Sequence, residues 1–259
     1  MLISTATETA LQRETTHLVD DQPYKGREYI GSAPKPGTAG YGQNVAGDDA
    51  PQAYLVSQPP HSTTRPHFHQ TNQFQLFVGG GGSVGKLRAD PLTVQYAGGN
   101  TPYGPIVAED DGIQYFTLRQ AWDSGAKYLP AMNDMLVKGQ QRQVIGVKSS
   151  YGADQIPRGD GAAKTEFLIA PTTDGLLIQW LGLSPGSKTT LPDAAEGGGQ
   201  YHVVVSGSLR RAGRDLSAMS VEFASTDEGE VEIEAGADGL EMMLLRFPRA
   251  HSKKMRSEF

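Results

Sequence analysis

Gln73 to Gly80 read QFQLFVGG, and Gln200 to Gly207, 127 residues further on, read QYHVVVSG. In the first copy Phe74, Leu76 and Val78 fall on one face and Gln73, Gln75 and Phe77 on the other; in the second, Tyr201, Val203 and Val205 oppose Gln200 and His202. A period of two is the signature of a β-strand. The same offset lays GIQYFTLR (Gly112 to Arg119) on GLEMMLLR (Gly239 to Arg246), Val94 on Val221, Tyr96 on Phe223 and Ser57 on Ser184. No gap is needed from about Ala53 to Arg119. One register across several apolar runs marks a duplicated unit.

Short strand-like runs separated by glycine and proline turns fill the rest of both copies, which predicts an all-β protein of the sandwich or barrel kind. The apolar face of Phe74, Leu76 and Val78 is costly in water, at roughly 1.5–3 kcal/mol per large side chain. It therefore predicts a second β-layer against it, supplied by the second copy or by a partner chain. The glutamine face predicts a cavity with polar contents. VGGGGSVG (Val78 to Gly85) reads as a hairpin turn, and HLVDDQPYKGREYIG (His17 to Gly31) as an added edge strand. KPGTAGYGQNVAGDDAPQ (Lys35 to Gln52) reads as loop. YLPAMNDMLVKG (Tyr128 to Gly139) is the best helix candidate, with Pro130 in its first turn and Gly139 at its stop.

The 259 residues contain no cysteine and carry a formal net charge of −6. Disulfides, thiolate nucleophiles and cysteine-bound zinc are excluded. No basic stripe suggests nucleic acid, and the basic tail RAHSKKMRSEF reads as a solvated terminus. No apolar run reaches the roughly twenty residues of a membrane helix, and the N-terminus lacks the basic region of a secretory signal. A cytoplasmic protein is expected. Apolar outer faces beyond what one partner sheet covers point to a homodimer.

RPHFHQTNQ (Arg65 to Gln73) holds His67-Phe68-His69, then three residues, Gln73, and six residues to Gly80. This resembles the first motif of the cupin superfamily in its two-domain, or bicupin, form. Gln73 stands at the motif's glutamate and His61 at its leading glycine. PYGPIV (Pro102 to Val107) resembles the second motif, with Val107 where a third histidine would stand. The resemblance implies two tandem jelly-roll barrels with little helix. Residues 1–50 form an N-terminal extension with an edge strand, 51–125 the first cupin domain, 126–150 a connection with a short helix, 151–250 the second cupin domain and 251–259 the tail. The activities implied include dioxygenases, isomerases, lyases, decarboxylases and binding proteins, and fold analogy alone selects none of them.

Alternation sends His67 and His69 to the same side, so both imidazoles can converge on one divalent ion: Fe, Zn, Mn, Ni or Cu. Gln73 is the candidate third ligand through its amide oxygen, and His61 a reserve. An uncharged third donor leaves the ion its full charge, which favours an anionic substrate or bound hydroxide. Without metal, the two histidines are hydrogen-bonding residues at a barrel mouth. The offset puts Ala194 under His67 and Glu196 under His69, so a metal is expected in the first barrel only. His202, alone on its face, reads as a satisfied core residue. Gln75, Tyr103 and Tyr115 are candidate substrate-binding residues, Tyr103 the candidate catalytic acid, and Arg65 a candidate anion contact at the entrance. The function expected is a metal-dependent bicupin enzyme acting on a small organic molecule, with dioxygenase chemistry among the candidates. The alternative is a non-catalytic small-molecule-binding or sensor cupin.

Overall fold

The computed structural model describes residues 1–43, 50–139, 141–159 and 161–249. Residues 250–259 of the basic tail and 44–49 of the glycine-rich loop read above lie outside the described residues. Two large antiparallel sheets carry the fold. The first runs in the order Gln143–Val147, Thr93–Ala97, Gln73–Val84, Ile106–Arg119, Gln52–Gln58, Gln22–Ile30, Glu14–Val19. The second runs Leu2–Thr5, Val221–Ala224, Gln200–Arg211, Glu232–Arg246, Leu177–Leu183, Ala163–Ile169. The result is all-β, a pair of jelly-roll-like units. Among the described residues no helix is long and apolar enough to cross a membrane.

The outer faces cover one another within the chain. Phe74, Leu76, Val94, Tyr96, Phe116 and Leu118 share a single core with Ile178, Trp180, Tyr201, Val203, Phe223, Met243, Leu245 and Phe247. The rings of Phe74 and Phe247 meet at 4.8 Å. The second copy is thus the layer that the alternation of Gln73–Val78 demanded.

The sheets exchange strands across the halves of the sequence. Leu2–Thr5 pairs with Val221–Ala224 in the second sheet, and Gln143–Val147 pairs with Thr93–Ala97 in the first. The N-terminal extension and the connecting segment therefore each contribute an edge to a sheet. His17 to Gly31 forms not one edge strand but a hairpin, Glu14–Val19 with Gln22–Ile30, which lies beside Gln52–Gln58.

Three local expectations are corrected. The four glycines are not a turn. They lie inside the strand Gln73–Val84, where a Cβ at Gly80 would come 2.1 Å from Gly112 O and one at Gly82 would come 2.0 Å from Val107 O. Glycine lets the neighbouring backbone approach through a bulged register. Tyr128–Gly139 forms no α-helix but the end of the strand Lys127–Tyr128 and a 3-10 turn, Asn133–Met135, with its apolar side chains only half-buried and Val137 exposed. The ungapped register fails at one strand. Arg119 pairs with Gln52, whereas Arg246 pairs with Leu177, so this strand is offset by 125 and the loop to Gln200 is two residues longer. A slip of two keeps every side chain on its face, so period-two reading cannot detect it.

The two interiors differ. Around the second barrel's axis lie Leu177, Leu183, Val204, Met242 and Leu244, all buried and packed together. The positions equivalent to Leu177, Leu183, Met242 and Leu244 in the first barrel are Gln52, Gln58, Tyr115 and Thr117. One lumen is filled with aliphatic groups and the other is lined with polar ones.

Candidate active site

His67 opens the two-residue strand His67–Phe68, pinned on one side by Lys127–Tyr128 and on the other by paired backbone bonds to Tyr103 (3.1 and 3.0 Å). Both imidazoles are buried, their centroids 5.3 Å apart and their planes nearly perpendicular. His67 Nδ1 lies 2.7 Å from Arg65 O. A carbonyl only accepts, so Nδ1 carries the proton and Nε2 presents its lone pair to Tyr103 Oη at 2.9 Å. His69 Nδ1 lies 2.8 Å from Asp123 Oδ1 and carries the proton likewise. Burial pulls His67 down to about 4 and His69 to about 3, with Arg119 adding to both shifts, so both rings are neutral.

Asp123 also accepts N–H bonds from Gln70 at 2.9 Å and Gly125 at 2.8 Å, with Lys127 Nζ at 3.4 Å. Burial alone would raise its pKa; the pairing and hydrogen bond with His69, and then the charges of Arg119 and Lys127, outweigh that and hold it well below the usual carboxylate range. Lys127 is itself buried, its Nζ filled by Ser124 Oγ and Gly125 O as well as Asp123.

Arg119, at the end of Ile106–Arg119, is fully buried, and all five of its N–H groups are engaged. Nε and Nη2 both donate to Gln73 Oε1 (3.2 and 2.9 Å), and Nη1 donates to Gln52 Oε1 (2.6 Å) and Tyr54 Oη (3.0 Å). Nη2 also lies 3.1 Å from His69 Nδ1 and 3.2 Å from Nε2; only Nε2 has a lone pair to accept it. This fixes the rest. Gln73 Oε1 faces Arg119, so its amide nitrogen donates to Tyr103 Oη, and Tyr103 in turn donates to His67 Nε2. The hydrogen bonds run one way: Arg119, Gln73, Tyr103, His67, Arg65 O.

This chain borders a cavity of about 100 Å³, into which Gln75, Tyr115 and Thr117 also face, with Tyr24 and Tyr128 at its rim. Gln58 donates to Tyr115 Oη at 2.8 Å, and Gln95 donates to Gln75 Oε1 at 3.1 Å. The fold thus brings together His67, His69, Gln73, Gln75, Tyr103 and Tyr115. It leaves out His61, whose side chain is 72% exposed and 3.7 Å from Asp110. Arg65 pairs with Asp20 at 2.8 Å and lies over the Tyr128 ring, beside the rim. Val107 is backbone-paired with Thr63 and Ser83. In the second barrel His202 is buried between Glu222 and Gln200 at 3.0 Å each. Sequence reasoning missed Arg119, Asp123, Gln52 and Tyr54. The available signal was an arginine closing each copy's most apolar strand, at Arg119 and Arg246.

Whether these residues fit a divalent ion can be tested on the donors. Both histidines have the tautomer and the fixed Nδ1 partner that metal ligands carry. The rest does not fit. Among the described residues no three His, Asp, Glu or Cys side chains gather into a metal-binding group. Gln73 Oε1, the expected third donor, is held by two N–H groups of Arg119, and the guanidinium lies against the His69 nitrogen an ion would use. Like unit charges about 4 Å apart repel by about 4 kcal/mol even at an effective dielectric of about 20. In this arrangement Gln73 is a hydrogen-bond link and not a ligand.

No family model matches the chain, and no curated protein does. Solved structures do resemble it. A "putative dioxygenase" from Nostoc punctiforme superposes with a TM-score of 0.62 at 11% identity, over 98% of this chain and 85% of that one. An oxalate decarboxylase mutant from Bacillus subtilis gives 0.56 at 12% identity, over 97% and 78%. A bacterial pirin from Escherichia coli, solved in complex with nickel(II), gives 0.54 at 12% identity, over 96% and 100%. The decarboxylase is also described with Mn(II) centres. At these identities the likeness establishes the fold: two tandem cupin barrels.

Proposed function

We propose that this bicupin fold serves an enzyme acting on a small organic molecule, with the chemistry in the first barrel and the second barrel as packing support. One observation carries the reading: in a buried chamber, Tyr103 donates its hydroxyl proton to His67 Nε2 while Gln73 donates to the same phenolic oxygen. Burial pushes the Tyr103 phenol far up and His67 down to about 4, so the resting pair is neutral. A substrate with an acidic C–H or O–H beside Tyr103 could lose its proton to the phenolic oxygen as Tyr103 passes its own to His67 Nε2. Gln73 N–H, polarised by Arg119, stabilises negative charge developing on that oxygen. Gln75 and Tyr115 orient the substrate. The reaction class is proton abstraction, as in isomerases and lyases.

The test is deuterium exchange from solvent into a panel of small carbonyl compounds and phenols, followed by NMR. Catalysed exchange that Tyr103→Phe and His67→Gln abolish while their folds persist supports the reading. Exchange that both variants retain removes Tyr103 and His67 from the chemistry. Binding with no turnover across a broad panel would favour the non-catalytic alternative.

A second reading keeps the metal-dependent enzyme, including dioxygenase chemistry. It is favoured by the Nδ1–H tautomers of His67 and His69 and by the carboxylate of Asp123 behind His69. Elemental analysis of protein purified without chelator decides it. Stoichiometric Fe, Zn, Mn, Ni or Cu that His67→Ala removes would carry this reading over the first.

A further inference from the structure

The first barrel and its copy treat an equivalent arginine differently. Arg246 is balanced by a carboxylate: its Nη1 meets Glu196 Oε2 at 2.5 Å. Arg119 meets His69 at the position of that glutamate, and its other partners, Gln52, Tyr54 and Gln73, are neutral. The charged groups bonded into the chamber are Arg119, Lys127 and Asp123, and Asp123 is shared with Lys127 at 3.4 Å. Among the described residues these three groups sum to one positive charge, and Lys25 and Glu28, which also line the cavity, add one charge of each sign. Burying a cation among neutral dipoles costs several kcal/mol unless an anion joins it.

The guanidinium also takes the space the expected ligand set would enclose. It bonds Gln73 Oε1 and His69 directly and reaches His67 through Gln73 and Tyr103. We propose that Arg119 stands as a permanent cation in the place predicted for a metal ion, and that the chamber takes a small organic anion, a carboxylate or an enolate, without metal. This rests on the first barrel being a small-molecule site. With all five N–H groups engaged, Arg119 acts on the ligand through its field. The hydrogen bond to the anion comes from Tyr115, whose hydroxyl faces the cavity, accepts from Gln58 and keeps its own proton to donate. An enolate formed by proton abstraction beside Tyr103 would be stabilised by the same charge.

The test is calorimetric titration of the full chain, freed of metal by chelator and dialysis, in two arms. In the first, MnCl2 and NiCl2 are titrated into wild type and into the double variant Arg119→Met with Gln73→Glu, which removes the cation and adds a carboxylate. Wild type is expected to take up no stoichiometric ion, and the double variant to bind nickel at least tenfold more tightly. Stoichiometric uptake by wild type that His67→Ala abolishes overturns the proposal, whether or not the double variant folds. In the second arm, benzoate is compared with benzamide on wild type. Benzoate is expected to bind at least tenfold more tightly. Equal binding of the two overturns the anion assignment and leaves the small-molecule site standing, whereas binding of neither counts against both.

Discussion

Arg119 Nη2 lies 3.2 Å from His69 Nε2, and 127 residues later Arg246 Nη1 lies 2.5 Å from Glu196 Oε2. The contact is the same, but one partner is a neutral buried ring and the other a carboxylate whose side chain is 62% exposed. The expected costs of removing the two arginines therefore differ. Arg119→Met strands Gln52 Oε1 and Gln73 Oε1 in the interior and should cost about 3–5 kcal/mol. Arg246→Met leaves Glu196 free to turn to water, loses the bonds to Gly175 O and Asp193 O, and should cost about 1–3 kcal/mol. Urea denaturation of both variants measures the difference. A cost below about 1 kcal/mol for Arg119→Met would contradict its place as the hub of the site.

Acid should destabilise the fold in a defined window. The folded-state values of about 4 for His67 and about 3 for His69 lie below the ordinary histidine value of 6.5. The unfolded chain therefore binds more protons, and stability present above about pH 6.5 is lost as the pH falls toward about 4, by roughly 1.4 kcal/mol per group and pH unit. Melting temperatures in chelator from pH 7.5 to 4.5 should show this slope. His67→Gln and His69→Gln together should flatten it. A slope unchanged in the double variant would assign the acid sensitivity elsewhere.

Tyr103→Phe should be worse than Tyr115→Phe. Losing the Tyr103 hydroxyl leaves both Gln73 Nε2 and His67 Nε2 without partners, at about 2–4 kcal/mol, whereas the Tyr115 hydroxyl has one protein partner, Gln58, at about 1–2 kcal/mol. A double-mutant cycle between Tyr103→Phe and His67→Gln should give a coupling of about 0.5–3 kcal/mol. Strict additivity would mean that the two side chains do not bond in solution.

Gly80 and its counterpart Gly207 offer a matched pair. Both have positive φ (65° and 69°), and a Cβ on either would lie 2.1 Å from a backbone oxygen, that of Gly112 or Gly239. Alanine at either position should cost more than about 2 kcal/mol. Gly213, with a φ of 76° but nothing within 4 Å of its Cβ, should tolerate alanine at about 1 kcal/mol. Thermal denaturation of the three variants ranks them, and a Gly213 variant as damaged as the other two would shift the cause from contact to backbone strain alone.

Phe74→Ala tests the seam between the barrels. Its ring packs on Tyr96 at 5.2 Å and on Phe247 at 4.8 Å, so its loss should cost about 3–5 kcal/mol. Because the core is shared, wild type and variant should each unfold in one calorimetric transition. Two resolved transitions would show that the barrels fold independently.

Much of the fold was legible because one rule governs it. Alternation at Gln73–Val78 and at its copy separated outward Phe74, Leu76 and Val78 from inward Gln73, Gln75 and Phe77, and both faces lie where the pattern sends them. His67 and His69 were found by their spacing, and Tyr103 by the turn that holds it. The slip of the Gln52–Gln58 equivalent was invisible because it preserves that alternation. The pairing of Leu2–Thr5 was invisible because four residues name no partner across the chain. Arg119 went unread as a site residue because it ends an apolar run, where an arginine usually reaches solvent; its burial follows from Gln52, Tyr54 and Gln73 converging from neighbouring strands, which only tertiary structure reveals.

The exchanged edge strands bear on how the molecule is made. Leu2–Thr5 is synthesised more than two hundred residues ahead of Val221–Ala224, the strand it pairs with. At about 5–20 residues per second, the leading segment waits on the order of ten seconds or more beside the ribosome with its backbone amides unmatched. Closure of the N-terminal strand is consequently among the last events of biogenesis, and a nascent chain halted before Val221 would expose an unpaired edge to chaperones and proteases.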